Sequence, residues 1–316
     1  MGKIDTLTKN YVANNTVFAD AFNFLVYKGR QVIDPDALTE MDSTELAVLF
    51  GEDNKSLELD QRYRDVIKSA AFMTDEKRTY VVLGIENQDK IHYAMPVKSC
   101  IYDALQYVKQ VKIAADKHRR DGYSRGHSSD EFLSGFYKDD KIKPVVTLVV
   151  YFGRDEWDGP LSLKEMMEEE DPEMMEYVQD YRIHLIQPAH IDDQEFEKFH
   201  SNLGTVMKFI KVSRDDKKME ELLDSGELDV LPIDAALIIR ECTKTEFEIP
   251  ENAEVVRVCE AIQTMMNKSE ANGVTKGKLI QLYELVKKGF LALNIAAQEA
   301  GQTEEEFKTG MDEYFA

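Results

Sequence analysis

Residues 64–88 read RDVIKSAAFMTDEKRTYVVLGIENQ, and the fold turns on this stretch. Two runs rich in Val, Ile, Ala, Phe and Tyr, 64–73 and 78–86, flank Thr74-Asp75-Glu76-Lys77, four polar residues suited to a tight turn. The pattern predicts a β-hairpin. With Asp75 and Glu76 at its tip, Asp65 stands opposite Glu86. Directly paired residues share a face, and side chains alternate along a strand, so Glu86 and Gln88 share that face too. Two carboxylates and an amide then meet on one patch, an oxygen-rich set able to hold a divalent cation. A one-residue slip of register would send Asp65 to the other side.

Outward from the hairpin, residues 144–153 (PVVTLVVYFG) are almost all apolar and β-branched, the composition of a strand covered on both faces. Residues 181–186 (YRIHLI) are its expected neighbour. Residues 98–120 predict a long helix with an apolar stripe of Ile101, Leu105, Val108, Val111 and Ala115. The one clearly basic stretch, 117–127 (KHRRDGYSRGH), follows it and reads first as a solvated loop, with phosphate contact by Arg119, Arg120 and Arg125 as the other reading. Upstream, 10–28 reads as one helix ending at Gly29, with Asp20 on its polar edge. Residues 34–44 are turn-like, and 45–50 and 92–97 read as short strands. The very acidic 163–178 reads as a solvated helical face whose methionine pairs make core contacts. Residues 192–224, 229–243 and 252–267 are helical in pattern, and 274–289 with 291–316 suggest a helical hairpin. Residues 296–303 look like the turn of a helix-turn-helix. Glu304-Glu305-Glu306 then open the next helix, where they suit the macrodipole but would repel DNA. A packing or oligomerisation hairpin is therefore expected there.

Composition narrows the classes. Apolar residues make up 43% of 316, enough for a sizeable core. Acidic residues outnumber basic ones 60 to 39, giving a net charge of −21. Such a surface opposes standing, tight nucleic-acid binding, which depends on Lys and Arg. Cys100, Cys242 and Cys259 form no C-x-x-C pair and the six histidines no H-E-x-x-H, so neither a disulfide framework nor a zinc site is expected. The absence of P-loop, G-x-G-x-x-G and G-x-S-x-G patterns removes the common nucleotide-binding and serine-hydrolase readings. No apolar run approaches the roughly 20 residues of a membrane helix, and the first residues lack a signal-peptide core, so a cytoplasmic protein with no membrane contact is expected.

Taken in order, FADAFNFLVYKGRQVIDP, YRDVIK, YVVLGIENQDKIHYAMPVKSCIYDALQY and PVVTLVVYFGRDEWDGPLSL resemble the recombination-promoting nuclease, or transposase-like, family of the PD-(D/E)XK nuclease superfamily. The likeness covers roughly residues 5–215. It implies an α/β fold with a restriction-endonuclease-like core, a mixed β-sheet flanked by helices, over 1–215, and a helical C-terminal region over 216–316. By that resemblance Asp65 takes the place of the motif's Asp, Glu86 that of its acidic partner, and Gln88 that of the usual Lys. Asp20 looks like the family's early acid, although its spacing to Phe22 departs by one, and Glu45 is a second candidate. Tyr107 would help shape the site. The resemblance implies Mg²⁺ or Mn²⁺ held by Asp65, Glu86 and the carbonyl of Asn87, with Gln88 orienting water. The expected activity is metal-dependent DNA endonuclease cleavage linked to mobile elements or recombination, with transient DNA contact and a homodimer. Two other readings stay open. One is a nuclease fold without catalysis that binds a protein partner; the other is an acidic interaction protein acting through 163–180.

Overall fold

The computed structural model describes residues 3–41, 66–74, 77–122, 128–168, 171–250 and 253–315. The expected helix over 10–28 is two helices, α1 (Lys3–Ala13) and α2 (Asn15–Leu25). Asn14 separates them, its side chain accepting from the N–H of Thr16 as an N-cap. Residues Val17 to Phe24 of α2 are all buried, so this helix is apolar around most of its circumference and sits inside the fold. Buried Asn23 then staples the following chain: its Oδ1 accepts from Val32 N and Ile33 N, and its Nδ2 donates to Ile33 O.

β1 (Leu38–Glu40) lies within the segment read as turn-like and pairs antiparallel with β2 (Val66–Thr74). β2 pairs antiparallel with β3 (Lys77–Gln88) from Val66↔Ile85 to Thr74↔Lys77, the register expected from sequence. Asp65, which would extend that ladder by one residue, lies outside the described residues, as do the tip 75–76 and the expected strand 45–50 with Glu45. Residues 92–97 are not a strand. Pro96 stands in the first turn of α3 (Met95–Arg120), where its missing N–H is harmless and its fixed φ favours the helix.

A capping box between Ser128 and Glu131 starts the short α4 (Ser129–Ser134). β4 (Val145–Tyr151) follows and is buried along its length. Among its described residues the acidic stretch holds a 3₁₀ turn, Lys164–Met166, and the four-residue α5 (Pro172–Met175). Met166, Met167 and Met174 are exposed, so the methionine pairs are not core contacts; Pro172 breaks the helix that would have aligned them. β5 (His184–Ile186) runs parallel to β4, as β4 does to β3. The expected helix 192–224 is a 3₁₀ segment, Asp193–Lys198, then α6 (Leu203–Val212) and α7 (Asp216–Asp224). After β6 (Leu231–Pro232) come α8 (Ile233–Thr243) and β7 (Val255–Val256), which pairs with β6.

The main sheet has the order β1-β2-β3-β4-β5 and is mixed: antiparallel through β3, parallel from β3 to β5. A parallel pair needs a crossover, which α3 supplies between β3 and β4. α3 covers one face, through Asp103 to Thr147 and Lys98 to Glu86. α1, α2, α6 and α8 pack together on the other, where Tyr11 of α1 meets Phe152 edge-on and Asn87 reaches Thr8.

Two compact units divide the chain: Met1–Thr245 with Ile249–Val256, and Glu246–Glu248 with Arg257–Ala316. In the second unit the expected helices 252–267 and 274–289 are one, α9 (Val258–Lys287), followed by α10 (Leu293–Glu299) and α11 (Glu304–Phe315). Tyr283, Ala296, Ala297 and Phe307 form its core. Gly301 (φ 67°) turns α10 into α11, and Thr303 and Glu306 cap α11 reciprocally. No helix among the described residues is long and apolar enough to cross a membrane.

Candidate functional site beneath α3

Alternation along β3 sorts the expected site residues. Glu86 and Gln88 point to the α3 face, while Asn87 points to the opposite layer, donating from Nδ2 to Thr8 Oγ1 at 2.6 Å. Glu86 is fully buried, and Lys98 of α3 pairs with its Oε2 at 2.7 Å. A buried carboxylate is costly unless matched by charge. Lys98 supplies that charge, and it also lies 5.9 Å from the centroid of the Tyr102 ring. Gln88 folds back so that its Nε2 donates to the Asn87 carbonyl at 2.8 Å.

The inner face of α3 is polar. Ser99, Tyr102, Asp103 and Gln106 are buried at helical spacing, while Ile101 and Val108 of the expected apolar stripe are exposed. Ala115 of that stripe is buried and Leu105 and Val111 are half-buried, so only part of the stripe read as core turns outward. The reason is chemical: the sheet beneath α3 presents Glu86 and Thr147, and these demand polar partners. Asp103 accepts from Thr147 Oγ1 at 2.5 Å and from the Tyr181 hydroxyl at 2.7 Å, tying α3 to β4 and to the approach to β5. Ser99 Oγ is buried without a hydrogen-bond partner among the described residues. Tyr107 accepts from Val145 N at 3.2 Å, fixing the start of β4.

Beyond the carboxyl ends of β3 and β4 the chain is acidic. Burial and then the fields of Asp155, Asp158 and Asp89 push the Tyr151 hydroxyl up from its usual range. The loop after β4 is held by packing. Tyr151 and Trp157 meet edge to face, Trp157 Nε1 donates to Gly159 O, and Gln187 Oε1 accepts from Trp157 N. Gly153 is required there, since a Cβ would lie 2.1 Å from the Tyr151 ring.

Asp20 belongs to the layer on the other face. Its carboxylate accepts from the N–H groups of His200 and Ser201 and from Ser201 Oγ, which pins the chain entering α6. Arg119 and Arg120 are exposed at the far end of α3. At 1.5 Å per residue they lie about 30 Å along the helix from Lys98. Both turn toward Asp116, Arg119 pairing with its carboxylate at 3.1 Å and Arg120 donating to its carbonyl. Arg125 lies outside the described residues.

Among the described residues no three His, Cys, Asp or Glu side chains gather to hold a metal ion. The donors at hand on this face, the Glu86 carboxylate and the Gln88 amide oxygen, are hard oxygens of the kind Mg²⁺ and Mn²⁺ take. Sequence reasoning missed Lys98, Asp103 and Tyr181. The signal was present in the polar positions 99, 102, 103 and 106, which share a helix face one step from the apolar stripe.

No curated protein and no solved structure matches the chain. A family model described as "Putative transposase, YhgA-like" matches residues 54–228, more than half of the 316 and the whole span from the hairpin to α7. The strands β2 to β5, the crossover helix and Glu86 all fall inside that match, and the chain belongs to this family.

Proposed function

We propose that the chain is a metal-dependent DNA endonuclease of a mobile-element or recombination-linked kind, built on a restriction-endonuclease-like core. The observation that carries the reading is the buried Glu86–Lys98 pair at the end of β3, beside the last described pair of the hairpin, Val66↔Ile85. The family's transposase description supports action on DNA.

Asp65 and Glu86 would hold the cation, with the Asn87 carbonyl as a further oxygen. Bound Mg²⁺ or Mn²⁺ supplies a nucleophilic water at neutral pH and offsets the charge that develops on the phosphate. Gln88 hydrogen-bonds but brings no charge. Lys98, paired with Glu86, would bring it and would stabilise a developing anion. Asp103, Thr147 and Tyr181 hold α3 at the height that keeps Lys98 on Glu86. Asp20 serves as a positioning residue for the layer behind the sheet. Arg119, Arg120 and Arg125 would touch phosphates near one duplex turn away from the cut.

A second reading, a nuclease fold that has lost catalysis and works by binding a protein, draws on the exposed Ile101 and Val108 on α3 and on the net charge of −21. One experiment separates them. Mn²⁺ is titrated calorimetrically into the parent, Asp65→Ala and Glu86→Ala proteins, and supercoiled plasmid cleavage is followed in the same buffer. The nuclease reading expects metal binding and nicking by the parent, with both lost in the variants. Cutting by both variants at the parental rate sinks the assigned site. A parent that neither binds metal nor cuts moves the reading to the partner-binding form.

A further inference from the structure

The first unit holds a pocket of about 680 Å³ at the edge of the sheet formed by β5. Its size lies within the roughly 300–1,000 Å³ of typical ligand sites. Phe24, Leu161, Ile183, Leu185 and Ile191 line it with apolar surface, and Lys28, Lys198 and Glu195 bring charge to it. Lys198 donates to Glu195 at 2.6 Å, so those two charges match each other. Lys28 makes no ion pair among the described residues, so it is a lining charge left unmatched on a chain of net charge −21. The close approach of the segments that carry these two lysines is built in. Lys28 (φ 56°) and Gly29 (φ 89°) form a left-handed turn after α2, and a Cβ on Gly29 would lie 2.8 Å from Lys198 Cβ. Only glycine lets these two segments approach so closely.

The backbone adds a second observation. Residues 161–163 pair antiparallel with 181–183, Ile183 N donating to Leu161 O at 2.9 Å and Leu163 N to Tyr181 O at 3.0 Å. Alternate residues of a strand aim their N–H and C=O groups to the same side. Leu185, two positions after Ile183, therefore aims its own toward this edge, past the point where pairing with 161–163 has ended, and into the pocket it lines. An open strand edge beside apolar surface is a template for adding an extended chain.

We propose that this pocket binds the carboxyl-terminal residues of an extended peptide. The peptide continues the short pairing at 161–163 by adding to Leu185, seats an apolar last side chain on the floor, and sets its terminal carboxylate at Lys28, beside the Lys198–Glu195 pair. A peptide fits better than a small carboxylate because the edge offers main-chain groups as well as charge.

The test uses the full chain and a fluorescein-labelled hexapeptide, Gly-Ser-Thr-Val-Thr-Leu, read by fluorescence anisotropy. The free-acid peptide binds saturably. Its C-terminal amide, and the Lys28→Glu protein with the free acid, bind about tenfold more weakly, the scale of one lost charge-assisted contact. Leu161→Arg, which fills the floor, removes binding. Lys28 is exposed, so that variant is expected to melt with the parent and remains informative if Leu161→Arg is unstable. Equal binding of acid and amide, no saturation up to roughly 1 mM, or unchanged affinity in Lys28→Glu overturns the proposal. So does N-acetyl-leucine competing as well as the peptide, which would mark a site for small carboxylates.

Discussion

Lys98 meets Glu86 at 2.7 Å in a buried setting, and the proposed chemistry depends on that contact. Replacing Lys98 by Met keeps the stem and removes the charge. Plasmid cleavage is then expected to fall about 10²–10³-fold, the usual cost of losing one electrostatic stabiliser. Parental cleavage rates in Lys98→Met would show that the cation only balances buried charge. Tyr11 makes a different prediction. Burial, then the fields of Asp234 and Asp20, raise its hydroxyl well above the ordinary value. A raised folded-state pKa gives stability that is complete below the unfolded value of about 10 and is lost as pH climbs through the folded one. Denaturant midpoints should therefore decline above about pH 10 in the parent and less steeply in Tyr11→Phe. The variant gives up the hydrogen bond to Asn202, worth about 1 kcal/mol at neutral pH. Identical alkaline decline in both proteins would assign the loss to another group.

Elements show where sequence periodicity succeeds and where it misleads. The β2–β3 register was legible because a polar tetrapeptide between two β-rich runs leaves few pairings that keep Ile85 and Val66 buried. The face of α3 was not. Its apolar stripe satisfies helical spacing, yet Ile101 and Val108 are exposed while Ser99, Asp103 and Gln106 are buried, with Asp103 accepting from Thr147. Hydrophobic patterning assumes an apolar floor, and a polar floor breaks that assumption. The loop after β4 carries its own test. Gly153→Ala puts a methyl group within 2.1 Å of Tyr151, whose buried ring cannot swing away without disturbing Trp157. A loss of about 1–3 kcal/mol in unfolding free energy is expected from such overpacking. An unchanged melting temperature would mean that the ring has room to move.

At the scale of the whole molecule, two compact units share one chain, and each has its own core. Phe307 is fully buried among Tyr283, Ala296 and Ala297, so Phe307→Ala should cost the second unit about 3–5 kcal/mol. Calorimetry should then show that unit melting early while the Tyr151–Trp157 near-ultraviolet signal of the first unit holds. Loss of both signals together would reveal one cooperative structure. By itself the sequence determined the hairpin and its register, the buried β4, the long helix between β3 and β4, and the acidity. These follow from local alternation, composition and spacing, which the chain carries without reference to distant partners. Only the tertiary structure decided that Lys98 faces Glu86, that Asp20 caps the entry to α6, that α3 hides its polar side, and that two lysines from separate segments share the rim of one pocket. Each of those depends on which surfaces meet across the sheet, and a one-dimensional pattern leaves the identity of the opposing surface open.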